Sequence, residues 1–372
     1  MADVIHLPAL VAGLAFLLAA VFGAVGNRVN FCTMGSISDI VIFGDWRRMR
    51  MWLLAIAVAI AGAGALQAAG LIDLSKSIYT GAKVSWLSLL VGGFLFGVGM
   101  TLASGCGSKT LIRLGAGNLK AVVVVVFIAI SASMTLRGVF ALWRANGLDP
   151  VRFDLGGLGV ATSDLPSVLA ALGLGVAAKI WLPLLVAALI GAYVFASRDF
   201  RATREMIVGG IVIGVVIVGG WYVSGHLGYL AEDPATLEEK FVATNSGRLE
   251  SFSFIGPVAY LLELLLLWTD QSRVVTFGIA GVVGIAVGSA CMALATRSFR
   301  WEGFTSVDDL THHIVGGVLM GFGGVTALGC TIGQGLTGIS TLAIGSFLAL
   351  GAIVAGGVAG VKYQVWRTER AA

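Results

Sequence analysis

Apolar runs of about twenty residues alternate with short polar stretches along the chain. They fall at 7–27, 51–70, 85–104, 121–142, 168–196, 206–223, 254–268, 274–296, 312–329 and 341–361. A helix of about twenty residues spans a hydrocarbon core of about 30 Å. The pattern therefore predicts an all-α fold, a polytopic membrane helical bundle of about 9–10 spans. Two runs depart from the simple pattern. The 168–196 stretch contains Lys179 and Pro183, which fits a short amphipathic helix followed by a span. The 254–268 run is short, contains Pro257 and Glu263, and reads as partly inserted.

The polar positions set an orientation. Arg28, Arg47, Arg48 and Arg50 follow the first run; Arg198, Arg201 and Arg204 follow Ala196; Lys362, Arg367 and Arg370 end the chain. Short loops rich in Lys and Arg stay cytoplasmic. The loop 226–250 carries Glu232, Asp233, Glu238, Glu239 and Glu250, and is expected on the opposite face. The insertions 144–166 and 224–253 read as surface loops with no assigned chemistry. The N-terminus lacks the basic region and cleavage site of a signal peptide, so the run from Leu7 is expected to remain as a span.

Glycines punctuate this pattern twice in the same way. The stretch GGFLFGVGMTLASGC (92–106) and the stretch GGVLMGFGGVTALGC (316–330) align at an offset of 224 residues, bringing Cys106 onto Cys330. Eight of the fifteen positions are identical, including a leucine, an alanine and the cysteine as well as glycines. Internal repeats in a very apolar chain point to a transporter whose halves meet near the midplane. The expected organisation is one transmembrane transport domain over 1–372. It has a first repeat at about 7–142, middle spans and polar insertions at about 143–270, and a second repeat at about 274–361. If 254–268 does not cross, nine crossings remain and the repeats are inverted, which is the expected arrangement; if it crosses, they are parallel.

Composition sharpens the class. Hydrophobic residues make up 58% and charged residues 12%, with a mean hydropathy of +0.95. Soluble domains carry about 25% charge, so the chain belongs in a lipid bilayer. Its 53 glycines against 6 prolines suit close helix–helix packing. The net charge of +4 is small, its placement in loops matters more than its total, and nothing resembles a nucleic-acid patch, so no nucleic-acid partner is expected. No GxxxxGK[ST] loop is present, so direct ATP drive is not expected, nor is any cofactor.

The chemistry-bearing candidates lie at the glycine breaks. Non-helical backbone at membrane depth is tolerated only where protein buries it or where it lines a cavity. Gly105, Cys106 and Gly107 form the first break; Gly329, Cys330, Gly333 and Gln334 form the second. Such glycines let backbone N–H groups face an anion, and a thiol adds a weak, polarizable donor. Cys32, in NFCTMG where the first helix meets the basic loop, forms a third small polar turn. Cys291 lies in plain helix among Ala and Gly and reads as a small buried packing residue. Lys109 and Arg113 are four apart and share a helical face; they either draw in an anion or snorkel to the interface. The cysteine spacings and the adjacent His312 and His313 fit no metal site.

The segments SGCGSKTLIRLGAGNLKA, NFCTMG, GGVLMGFGGVTALGCTIGQGLTGIS, FSFIGPVAYLL and WEGF resemble the YeeE/YedE family of bacterial sulfur-transport membrane proteins. The resemblance covers nearly the whole chain. It implies uptake of a small sulfur-containing anion, thiosulfate first, across the bacterial inner membrane by a transporter that is not an enzyme. It places Cys32, Cys106 and Cys330 on the substrate path, with no counterpart for Cys291. It also implies a separate small carrier protein of the TusA type, since no such domain is fused here. The alternative within that resemblance is a membrane sulfur or selenium transferase that hands sulfur to the carrier. That chemistry needs a thiolate, which Lys109 and Arg113 favour at Cys106 and nothing comparable favours at Cys330.

Overall fold

In the computed structural model, residues 2–175, 177–233 and 237–371 are described. The first apolar run becomes α1 (Ala2–Arg28), which breaks and restarts as α2 (Thr33–Ser38). The arginine-rich loop is short, because α3 (Arg47–Ala68) already includes Arg47, Arg48 and Arg50 in its first turn. Next come α4 (Trp86–Leu102), α5 (Gly107–Gly115) and α6 (Leu119–Arg137). The first polar insertion is bracketed by the short α7 (Val139–Trp143) and α8 (Leu165–Leu169). Its strand Phe153–Asp154 pairs with Lys83–Val84, which pins it onto the loop before α4. The 168–196 run divides into a short helix and a span, but at Gly173 and Gly175, which take positive φ, and not at Lys179 or Pro183, both of which lie inside the span α9 (Ala178–Phe195). The single turn α10 (Arg198–Arg201) leads into α11 (Arg204–Tyr222). After the second insertion come α12 (Ile255–Leu266), α13 (Phe277–Ala295), α14 (Val307–Thr326) and α15 (Ile344–Ala371).

Eight helical segments among the described residues are long and apolar enough to cross a membrane. α14 is 20 residues long, but Asp308, Asp309, His312 and His313 occupy its first two turns. It packs along α4 and α6.

α12 behaves differently. Twelve residues rise only about 18 Å, short of a bilayer core of about 30 Å. Its first residue, Ile255, is buried beside Gly107 and Gly324. Near its far end Glu263 meets Arg137 at 3.0 Å and Arg273 at 3.2 Å. The segment therefore dips into the bundle and returns to the face it came from. The second insertion is correspondingly not a plain surface loop, as the sequence suggested. Its last residues run inward, where Phe252 and Phe254 are buried and the Thr337 hydroxyl donates to the Phe252 carbonyl at 2.7 Å.

Glycines set the helix contacts that fix the bundle. A Cβ on Gly92 would lie 2.8 Å from the Gly323 carbonyl oxygen, and one on Gly99 would lie 2.8 Å from that of Gly316. Residue numbers rise on α4 as they fall on α14, so the two helices run antiparallel. The contact also maps onto itself, because Gly316 and Gly323 are the repeat partners of Gly92 and Gly99. Outside this pair, Gly93 and Gly97 of α4 pack on α15, while Gly317 and Gly321 of α14 pack on α6. Each glycine helix thus packs on the helix that follows the other repeat's cysteine break, α4 on α15 and α14 on α6.

A valine at Gly316 would drive its Cβ to 2.7 Å from the Ala103 backbone nitrogen, whereas Gly13 has nothing within 4 Å. Overpacking a filled interior costs about 1–3 kcal/mol, and here the obstruction is backbone that cannot yield. Gly316→Val should lower the thermal midpoint in detergent or abolish monodisperse protein, while Gly13→Val leaves both unchanged. Equal behaviour of the two variants would refute this account of the contact.

Candidate functional site

Three cysteines sit in one recurring turn. Two residues before each, the chain enters the left-handed region at Asn30 (φ 53), Ser104 (φ 57) and Leu328 (φ 58). Such φ values are uncommon outside glycine, and for leucine they mark local strain. The next N–H reaches back to a carbonyl five residues earlier: Phe31 to Gly26 at 2.9 Å, Gly105 to Met100 at 2.8 Å, Gly329 to Gly324 at 2.8 Å. This closes the preceding helix and satisfies a carbonyl that lipid could not. The cysteine carbonyl then accepts the first bond of a new helical turn, from Ser36 at 3.0 Å, Thr110 at 2.8 Å and Gln334 at 2.7 Å. Each thiol is therefore held at the start of a turn, where N–H groups lack helical partners. A fourth copy of the turn follows α13 at Arg297 (φ 54), with Phe299 in the cysteine's place.

The thiols are buried, Cys32 at 5% exposure, Cys106 at 1% and Cys330 at 0%. Cys32 Sγ accepts from the Gly35 N–H at 3.3 Å and Cys330 Sγ from the Gly333 N–H at 3.5 Å. Cys106 Sγ lies 3.4 Å from Ser108 Oγ. The three are also near one another. Cys32 and Cys106 are neighbours, the Thr331 hydroxyl lies beside Cys106, and Cys330 is within electrostatic range of it. Thr331 makes no hydrogen bond of ordinary geometry. Cys291, expected to be buried, is instead exposed on the outside of α13, away from this line.

The remaining expected residues fall around the same line. Gly107 faces Ile255, and Gly333 faces Ser253 and Tyr79. Gly105 packs on the Lys109 side chain and Gly329 on Gln334. Gln334 is buried, with its amide donating to the Ala327 carbonyl at 2.5 Å and its Oε1 unpartnered. Lys109 Nζ binds Asn30 Oδ1, and Arg113 Nη1 reaches the Ser104 carbonyl at 3.1 Å. Both cations are therefore fastened to the left-handed residues of the cysteine turns rather than extended into solvent. Among the described residues no cluster of His, Cys, Asp and Glu has metal-binding geometry. His312 instead contacts Arg367.

Several residues at this centre escaped the sequence reading. Tyr79, from the loop before α4, is 7% exposed; its unpartnered hydroxyl lies 3.4 Å from where a Gly333 Cβ would stand. Ser253 approaches the same glycine from the inward-running segment. Arg48 lies over Gly35 and pairs with Asp39 at 3.3 Å, which puts a third cation beside the Cys32 turn. No local period marks Tyr79 or Ser253. Thr331 alone had a signal, since it follows Cys330 in the polar break.

On the acidic face a cavity of about 210 Å³ leads toward this centre, with Glu250, Ser253, Tyr260, Leu328 and Gly329 in its walls. Its outer wall holds the exposed Ser246, and its inner wall holds Gly329, next to Cys330. Burial away from any cation pushes the Glu250 carboxyl up to about 7, although Ser246 Oγ donates to it at 2.9 Å.

The family model described as sulphur transport matches residues 28–359. The chain is 28% identical over 328 residues to the thiosulfate transporter TsuA of Escherichia coli (strain K12), covering 85% of this chain and 84% of that protein. It is 27% identical over 337 residues to the thiosulfate transporter TsuA of Spirochaeta thermophila, covering 90% and 93% respectively.

Unpartnered buried hydroxyls carry a desolvation cost of about 1–3 kcal/mol. Tyr79→Phe and Thr331→Val should therefore leave thermal stability in detergent unchanged or raised when no anion is added. A loss of about 1 kcal/mol or more in either variant would show that the hydroxyl has a protein partner.

Proposed function

The chain belongs to the sulphur transport family, and from that premise we propose that it imports thiosulfate across the bacterial inner membrane as a transporter, not an enzyme. The observation that carries this reading is the line of three buried thiols on one recurring turn. Beside it stand hydroxyls that have no protein partner. The names of the two relatives support the choice of anion.

Entering from the cavity, thiosulfate meets Cys330 with Tyr79 and the backbone at Gly329 and Gly333. It passes to Cys106 with Gly105, Gly107 and Thr331, and then to Cys32. Each thiol offers a weak S–H donor, and several weak sites in series allow entry without trapping. Gln334 braces the second turn through its amide. Lys109 and Arg113 sit at the basic end, where a positive field favours the anion's arrival at the cytoplasmic face. Their bonds to Asn30 and Ser104 must open, or the anion must share them, as it leaves. A separate TusA-like carrier would receive it there.

We read the two halves as an inverted repeat within a single transport domain. In support, the α4–α14 contact is antiparallel and maps onto itself, and α12 turns back without crossing. On this reading α14 is a ninth crossing, and the loop 226–250 lies outside the cell. A reporter fused in that loop should give an extracytoplasmic signal and one at 198–204 a cytoplasmic signal; the reverse result would overturn the orientation.

The central test is uptake of radiolabelled thiosulfate into vesicles containing only this protein. Accumulation of intact anion is expected; labelled protein without accumulation would favour sulfur transfer instead. In the same assay Cys106→Ser and Cys330→Ser should retain part of the rate, because a hydroxyl keeps a donor, while the Ala variants lose more. One net hydrogen bond is worth about 0.5–1.5 kcal/mol, or about 2- to 13-fold. Cys291→Ala should transport normally. Lys109→Ala and Arg113→Ala should raise the apparent KM at equal protein level. Wild-type rates in all four Cys106 and Cys330 variants would remove the thiols from the path.

A further inference from the structure

We propose that Glu250 is a proton-binding selectivity residue at the outer mouth of the pathway, admitting the anion when its carboxyl is neutral and repelling it when charged. The inference rests on the transport reading above and adds to it a determinant of rate that neither the family nor the relatives' names supply.

The position makes the argument. Glu250 ends the acidic loop 226–250, immediately before the chain turns inward at Ser251, Phe252 and Ser253. Its backbone carbonyl is held by the Ser224 hydroxyl at the end of α11, and the Ser251 hydroxyl anchors the next residue to the Ile217 carbonyl at 2.8 Å. The carboxyl is thus fixed in the wall of the cavity whose inner end is Gly329. An anion approaching Cys330 by this route must pass it.

The groups facing Glu250 leave its charge uncompensated. From its own segment come the Ser246 hydroxyl and the Asn245 backbone. From α12 comes Tyr260, and from the loop before α4 comes Tyr79, both phenols that are neutral near pH 7. The end of α14 presents Gly324 and Val325, the turn after it Leu328, and α13 presents Phe277 and Gly278, none of them titratable. The cations at this end are engaged elsewhere: Arg137 and Arg273 pair with Glu263, and Arg144 lies 3.4 Å from Asp149. Arg248 is exposed. Among the described residues no salt bridge reaches Glu250, and its carboxyl is held near 7.

The chemistry follows from the two states. Charged, a carboxylate only accepts hydrogen bonds, and it repels a dianion at close range. Protonated, it carries an O–H that donates, as the other walls of the cavity do. Thiosulfate itself stays a dianion near neutral pH, so the change belongs to the protein. The proton binds from the outer solution and returns there; no proton need cross with the anion.

The test uses purified protein in vesicles, with equal pH on both sides so that no gradient contributes. The initial rate of labelled thiosulfate uptake is followed from pH about 5.5 to about 8.5, a span that brackets the carboxyl's titration. Wild type should lose at least about tenfold across this range, with a midpoint near 7. Glu250→Gln, permanently neutral, should transport at pH about 8.5 at least about tenfold faster than wild type, with a flat profile. Ser246→Ala removes a donor to the charged form, so its midpoint should move to higher pH. If Glu250→Gln fails to give monodisperse protein, the direction of the Ser246→Ala shift decides the matter. A flat wild-type profile, an unchanged profile in Glu250→Gln, or a fall to lower pH in Ser246→Ala would overturn the proposal. Absence of uptake by wild type at every pH would overturn the transport reading instead.

Discussion

A broken helix inside a bilayer must find partners for every backbone N–H and carbonyl it frees, because lipid offers none. That requirement governs the centre of this protein. At Asn30, Ser104 and Leu328 the chain accepts an unfavourable left-handed conformation, and in return the end of one helix and the start of the next close on each other mainly through main-chain bonds. The cysteine side chain adds only a weak cap to the new turn, its Sγ accepting from the N–H three residues on at Cys32 and Cys330. It is left at the seam with its sulfur turned toward its neighbours. Thiol chemistry and backbone economy are served by the same six or seven residues.

The arrangement around the seams follows from a second constraint, the absence of a hydrophobic drive between helices in lipid. Attraction must come from close contact, so the backbones of α4 and α14 meet through Gly92, Gly99, Gly316 and Gly323. Because these positions are related by the repeat, one surface solves the contact twice. The antiparallel meeting leaves the two helix ends at opposite ends of the contact, and the turns beyond them come together where the Thr331 hydroxyl lies beside Cys106. Cys32 joins them through α1, whose neighbour α13 ends in the turn that lacks a thiol.

Much of this was readable in the residues, and the limits have physical causes. The bundle, the repeat and the three cysteine breaks each have a local signature: apolar runs of spanning length, eight identities at one offset, and polar glycine clusters inside apolar sequence. The inward dip of α12 was marked by its shortness and by Glu263. Tyr79, Ser253, Arg48 and Glu250 carried no comparable mark. Their importance comes from long-range approach across the fold, which leaves no period in the sequence. Glu250 in particular sat in a run of acidic residues that spoke only of orientation. Cys291 shows the converse: its neighbours Ala and Gly suggested close packing, but no neighbouring helix among the described residues covers it. One-dimensional composition cannot say which part of a small-residue face another helix will cover.

The crossed packing of the two repeats has a consequence for how the protein is made. α4 rests on α15 and α14 rests on α6, so neither half encloses its own interior. During synthesis the first half leaves the ribosome more than two hundred residues ahead of its partners. At about 5–20 residues per second, its glycine face waits for roughly 10–40 s. Over that interval the open seam at Cys106 lies against lipid or against whatever insertion factor shelters nascent helices. Biogenesis, rather than the finished fold, is then the stage at which this architecture is most exposed to error.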